Sequence, residues 1–153
     1  GISIDYQWSY LKPYAKDFIQ YQSAMDTHIA VLKLFPGLNE STVAHTVLAE
    51  SVKGIILESY GSGNVPQEPW FLDLLRESVK QGKIILNVSQ CNGGRVMHGK
   101  YETSSELDKI GVVSGHDLTF EAATTKMMYV LAKYPNTRDA KKCLRTPIRG
   151  EMN

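Results

Sequence analysis

Cysteine is scarce in this chain of 153 residues: Cys91 and Cys143 are its two thiols. Two cysteines so far apart make neither a metal framework nor a disulfide scaffold. Excess charge of one sign is missing too, because 17 Lys and Arg face 16 Asp and Glu for a net +1. Nucleic-acid and acidic-membrane binders normally carry a basic surplus, so this balance speaks against both classes. No apolar run approaches the roughly 20 residues that cross a bilayer. The first residues have no basic-then-apolar leader pattern. A reduced, cytoplasmic setting is therefore the expectation. His28 and His45 are scattered, without metal-ligand spacing. Internal repeats and low-complexity segments are absent as well. What remains is the length and composition of about one soluble domain. A chain of this size buries roughly two-thirds of its unfolded surface, enough for a core without staples.

Residues 1–27 differ from the rest. Tyr6, Trp8, Tyr10, Tyr14, Phe18 and Tyr21 crowd around Pro13 with no clean period. Aromatic density without periodicity predicts an extended arm lying on an apolar surface, its own domain or another. From His28 the pattern is regular. Residues 29–35 form a short apolar run closed by Pro36-Gly37, the mark of a strand buried on both faces. Asn39 or Ser41 can cap a helix over about 42–51, with Val43, Val47 and Leu48 on one stripe. A second strand at 54–57 runs into the turn-rich loop 60–66. Pro69 suits the first position of the next helix, which buries Phe71, Leu72, Leu75 and Val79 and stops at Gly82. Residues 83–88 give a third strand, a short helix follows around 104–109, and 111–114 give a fourth. Thr119 caps a helix of about 15 residues, and a last helix over 136–145 ends before Pro147. Alternating strands and helices predict an α/β fold: a three-layer α/β/α sandwich around a roughly four-stranded parallel sheet, like a small Rossmann-like or flavodoxin-like domain. We divide the chain into an arm, 1–24, and a domain, 25–153.

Ligands of open parallel sheets bind beyond the carboxyl ends of the strands. Those ends are the loops 60–66, 89–99 and 114–119, all polar and glycine-bearing. Gly61-Ser62-Gly63-Asn64 resembles a dinucleotide loop but lacks the third glycine, and Pro66 stands where a helix should begin. A tight βα turn explains its glycines equally well. Ser62 has no nucleophile elbow around it. Cys91 sits where a helix start would lower a thiol pKa, yet His98 has no visible orienting partner, so a buried, inert thiol is expected. Asp117 before Thr119 reads as support for a cap or turn. The residues alone give a ligand-competent edge without a complete catalytic set. They leave room for a stand-alone module binding a small polar ligand such as an amino acid, or a thiol hydrolase built on Cys91.

Several segments in order carry a resemblance: 54–66 (G-I-I-L-E-S-Y-G-S-G-N-V-P), 87–91 (N-V-S-Q-C), 111–123 (G-V-V-S-G-H-D-L-T-F-E-A-A) and 149–152 (R-G-E-M), with Leu34-Phe35-Pro36-Gly37 matching an opening strand. Over about residues 25–153 the chain resembles the C-terminal domain of the cytosolic (type I) L-asparaginases. That family hydrolyses L-asparagine to L-aspartate and ammonia without metal or cofactor. Its enzymes are two-domain homo-oligomers, dimers that often pair into tetramers. The resemblance implies that the nucleophilic threonine, its partner threonine and a Lys-Asp pair belong to an N-terminal domain, and none of those motifs is present here. It makes residues 1–24 an interdomain connector, and the chain's partners L-asparagine, its own N-terminal domain and neighbouring subunits. Because each family site is completed by the adjacent subunit's C-terminal domain, Asn64 and Tyr101 are the implied substrate-binding residues, with no catalytic residue in this chain. A regulatory asparagine site in some type I enzymes would touch Cys91. Glu58 stands where some relatives have arginine, so it would not pair with a ligand carboxylate in the same way.

Overall fold

The computed structural model describes residues 8–10, 21–97 and 102–153. The connector assigned to residues 1–24 therefore lies largely outside the described residues. Of the arm, Trp8–Tyr10 form a 3₁₀ turn with Trp8 exposed, and Tyr21 is exposed where the arm meets the domain.

Among the described residues four strands form one sheet: β1 (Ile29–Lys33), β2 (Gly54–Ser59), β3 (Ile84–Ser89) and β4 (Val113–Ser114). All pair in parallel, in the order β1-β2-β3-β4, with Ile29 opposite Gly54, Gly54 opposite Ile84 and Leu86 opposite Val113. The helices are α1 (Glu40–Val47), α2 (Pro69–Lys80), α3 (Glu102–Ile110), α4 (Phe120–Lys133) and α5 (Thr137–Leu144). Strand side chains alternate between faces, so each apolar run feeds two cores. Leu32, Leu34, Ile55, Leu57 and Ile85 pack under α1, α2 and α3 through Val43, Val47, Phe71, Leu75 and Leu107. Ile56, Ile84, Leu86, Val88 and Val113 pack under α4 and α5 through Ala123, Met127, Val130, Ala140 and Leu144. This is the three-layer α/β/α arrangement expected. Fully buried side chains such as Phe71 and Leu75 contribute about 1.5–3 kcal/mol each by burial.

Local chemistry sets the helix starts. Asn39 Oδ1 accepts from the Thr42 amide at 2.9 Å, Thr119 Oγ1 from the Ala122 amide at 3.2 Å, and Pro69 opens α2. Distant residues set several ends. The helix expected over 42–51 spans Glu40–Val47, because Lys83 Nζ draws the carbonyls of Val47 and Ala49 to 2.8 Å each. The fourth strand is shorter than 111–114. The amides of Gly111 and Val112 are spent on the Leu107 carbonyl, at 3.1 and 3.0 Å, to finish α3.

The strand order never reverses, so the sheet lacks the crevice at which doubly wound folds hold nucleotides. The loops at the carboxyl edge are where such a sheet offers a site. The chain end returns to that edge. Lys126, buried on α4, gives its ammonium to Glu151 Oε1 at 2.7 Å and to the Thr146 carbonyl at 2.8 Å. The amide of Asn153 then reaches Asp117 Oδ1 at 2.8 Å.

Candidate functional site

After β2 the chain folds tightly on itself. The Tyr60 amide donates to the Asn64 carbonyl at 3.0 Å, and the Asn64 amide donates back to the Tyr60 carbonyl at 2.8 Å. Gly61 and Gly63 take φ of 50° and 111°, conformations that favour glycine. Gly63 has a second reason: a Cβ there would lie 3.0 Å from Val96 Cγ1 and 3.4 Å from Asn87 Nδ2. The turn presses against the loop after β3 and lifts Asn64 to the surface.

The loop after β3 is fixed at many points. Ser89 Oγ donates to the Gly61 carbonyl at 2.6 Å and accepts from the Cys91 amide at 3.0 Å. Gln90 Nε2 donates to two carbonyls, Leu34 at the end of β1 and Glu58 on β2, both at 2.7 Å. The Met97 amide reaches the Ser62 carbonyl at 3.0 Å, and the Val96 amide reaches the His116 carbonyl at 2.8 Å. Val96, fully buried, is the point where the three loops meet. Asp117 ties the loop to β4 and to the chain end, accepting from Arg95 Nη2 at 3.1 Å and from the Asn153 amide. Burial raises its pKa, but these bonds and the Arg95 charge outweigh that and hold the carboxyl below its ordinary range. These ties reach 22 and 36 residues along the chain, in place of the local cap or turn support expected of Asp117, and Thr119 caps α4 by itself.

Asn64 stands exposed at the outer end of its turn. Cys91 is exposed, not buried as expected. β3 ends at Ser89, and the turn closed by the Gly94 amide on the Cys91 carbonyl at 2.8 Å carries the thiol off the sheet. Glu58 is buried on β2, with Oε1 3.4 Å from Lys33 Nζ on the neighbouring strand. That acid is engaged by a cation of its own fold. Tyr101 lies outside the described residues, so Asn64, Cys91 and Glu58 are those of the four that the structure locates. Gln90, Ser89 and Val96 hold the edge together and had no signal beyond lying at a strand end.

The edge can bind and position. Among the described residues, no three or more His, Cys, Asp and Glu gather where a metal would need them. Among the described residues, the side-chain contact between histidine and serine is Ser41 Oγ to His45 Nδ1 at 3.4 Å. It joins residues one helical turn apart, and that nitrogen also meets the Ser41 carbonyl at 2.7 Å. That is helix-surface bonding rather than an activated hydroxyl. No helix of the described residues is long and apolar enough to cross a membrane.

Known proteins match this arrangement. The family model for the glutaminase/asparaginase C-terminal domain matches residues 28–144. L-asparaginase 1 of Escherichia coli K12 is 38% identical over 124 residues, 81% of this chain and 36% of that protein. The 60 kDa lysophospholipase of Mus musculus is 38% identical over 142 residues, 92% of this chain and 25% of that protein. The crystal structure of L-asparaginase I from Vibrio cholerae matches with a TM-score of 0.77 at 36% identity, covering 82% of this chain and 38% of that one. The chain thus spans 36% and 25% of the two curated relatives.

Proposed function

This chain belongs to the glutaminase/asparaginase C-terminal domain family, and on that premise we propose that it is the C-terminal domain of an L-asparaginase. That enzyme converts L-asparagine to L-aspartate and ammonia with a threonine nucleophile carried outside these 153 residues. The domain's own part is to complete the pocket of a neighbouring subunit in a homo-oligomer. One observation carries this reading: three strand-end loops are locked into a single rigid rim that presents Asn64, and no activated nucleophile accompanies it among the described residues.

The chemistry of the rim suits an amide substrate. A primary carboxamide offers two N–H donors and an acceptor oxygen, so Asn64 can meet the carboxylate or ammonium of an amino acid. Its turn is pinned from both sides by Tyr60 and wedged on Val96. The amide therefore needs little ordering when the pocket closes. Tyr101 would close the same pocket against water. Cys91 stands exposed on this edge, where a regulatory ligand would touch it, whereas Glu58 is engaged by Lys33 and offers no cation to a ligand carboxylate. Two free thiols suit a reduced cytoplasm.

The test is Asn64→Ala in the full-length protein that carries this domain. Loss of a hydrogen bond to a charged substrate group, about 1.5 kcal/mol, should lower kcat/KM for L-asparagine about tenfold with the oligomer intact. Unchanged kinetics would remove Asn64 from the pocket. Hydrolysis of a lysophospholipid without ammonia release from asparagine would move the reading to the lysophospholipase relatives.

A further inference from the structure

Ser89 joins two turns of the carboxyl edge through one hydroxyl. It ends β3, half-buried, with Oγ donating to the Gly61 carbonyl at 2.6 Å and accepting from the Cys91 amide at 3.0 Å. A serine has one O–H to give. The two bonds therefore run in one direction, from the Cys91 N–H to Oγ and from Oγ–H to the Gly61 carbonyl, and each polarises the other. Space fixes the rotamer as well. A Cβ at Gly94 would collide with Ser89 Oγ and lie 2.8 Å from the Cys91 carbonyl oxygen. The 91–94 turn thus closes directly against the hydroxyl.

The bond lands where the Asn64 turn is softest. Glycine takes positive and negative φ about equally readily, so the φ of 50° at Gly61 and 111° at Gly63 is selected by what these residues bond. The carbonyls between Tyr60 and Asn64 each meet a donor. That of Ser62 accepts from the Met97 amide at 3.0 Å, a backbone contact. That of Gly63 meets Asn87 Nδ2 at 3.5 Å, the outer limit of a hydrogen bond. That of Gly61 receives Ser89 at 2.6 Å, the shortest of the three. Among the described residues, Ser89 is the side chain that holds the Gly61–Ser62 peptide plane at ordinary hydrogen-bond length. Deleting its hydroxyl frees that peptide to rotate and re-aim Asn64, while the backbone pairing of β2 with β3, which continues to Ser59 opposite Ser89, needs no side chain.

We propose that Ser89 is a positioning residue for asparagine hydrolysis: its hydroxyl fixes the Gly61 carbonyl and through it the orientation in which Asn64 meets substrate. The proposal rests on the reading that Asn64 enters a neighbouring subunit's pocket. A small displacement of a substrate-facing group is costly in rate, so the group that sets its geometry matters. There is also a ceiling. A residue that acts only through Asn64 cannot cost more, when removed, than the Asn64 side chain itself.

The experiment is a double-mutant cycle in the full-length protein: Ser89→Ala, Asn64→Ala and the pair, assayed for ammonia release from L-asparagine. Loss of one hydrogen bond predicts a fall of about fivefold in kcat/KM for Ser89→Ala, carried by the same parameter, kcat or KM, that Asn64→Ala alters. In the Asn64→Ala background the same substitution should cost less than about twofold, because the group it positions is gone. Hydrogen exchange gives a readout apart from activity. The Gly63 and Asn64 amides both bond the Tyr60 carbonyl, and in Ser89→Ala they should exchange about fivefold faster, with β2 and β3 as protected as in wild type. Wild-type kinetics in Asn64→Ala would overturn the pocket reading and the proposal with it. With Asn64→Ala impaired, wild-type kinetics in Ser89→Ala, additive losses in the pair, unchanged exchange at Asn64, or acceleration spread over β2 and β3 would overturn the proposal alone.

Discussion

Replacing Lys126 by methionine probes the joint that returns the chain end to the functional edge. The Lys126 side chain is 3% exposed and that of Glu151 is 19% exposed, with Nζ and Oε1 2.7 Å apart. Methionine keeps the apolar stem beside Met152 and deletes the charge. Removing one partner of a buried pair costs about 3–5 kcal/mol. The partial exposure of Glu151 puts this case near 3. Titration gives a second measure. Burial pushes the Glu151 carboxyl up, but the Lys126 bond and the amides of Arg149 and Ile148 outweigh it and hold the pKa at about 2 against an ordinary 4.5. The whole shift corresponds to about 3 kcal/mol, shared between the Lys126 bond and the backbone amides, which stay in the variant. A folded-state pKa below the unfolded one gives stability that is complete above about pH 4.5 and is lost as the pH falls through about 2. Thermal unfolding near pH 7 should therefore show a drop of about 6–12 °C in Tm for Lys126→Met. The gap should narrow in acid, where the wild type has also lost the pair. A variant within about 1 °C of wild type near neutrality, or one with an equally steep acid limb, would refute this reasoning.

The glycine, amide and thiol of the edge give three further tests. In Gly115→Ala the new Cβ would lie 2.7 Å from Val88 Cγ1 and 2.8 Å from the Asn87 carbonyl oxygen. Chemical denaturation should show a loss of about 1–3 kcal/mol, and an unchanged midpoint would contradict the packing. Gln90→Leu leaves the carbonyls of Leu34 and Glu58 without their side-chain donor. The expected cost is about 2 kcal/mol, with hydrogen exchange accelerated at the ends of β1 and β2; native-like protection there would count against the staple. Cys91 is exposed and Cys143 half-buried, so a thiol reagent should modify Cys91 first, as mass spectrometry of the labelled peptides would report. Faster labelling of Cys143 would contradict the placement of the 91–94 turn.

Elements whose cause is local could be read from the sequence. Ile55-Ile56-Leu57 and the run from Ile84 to Val88, broken only by Asn87, are buried on both faces of the sheet, and such strands are near-continuously apolar. Asn39, Pro69 and Thr119 start their helices through neighbours three residues away or less. What escaped depends on residues remote in the chain. Gln90 meets acceptors 56 and 32 positions away. Lys83 ends α1 from 36 positions away. Lys126 occupies a buried stripe where an apolar residue would be expected, and its partners belong to the tail. Cys91 was misread because apolar patterning marks where a strand ends but does not say how soon the next turn leaves the sheet. The edge itself was legible as three polar loops. Its stitching through Ser89, Val96 and Asp117 emerges when the sheet brings those loops together.

The central claim is that this chain supplies the fixed rim of a pocket and borrows its attacking hydroxyl from elsewhere. Ammonia release from L-asparagine by the purified 153-residue chain tests that claim most directly. The account predicts a rate equal to that of buffer alone, with no dependence on chain concentration. Sustained turnover proportional to the amount of chain would contradict it.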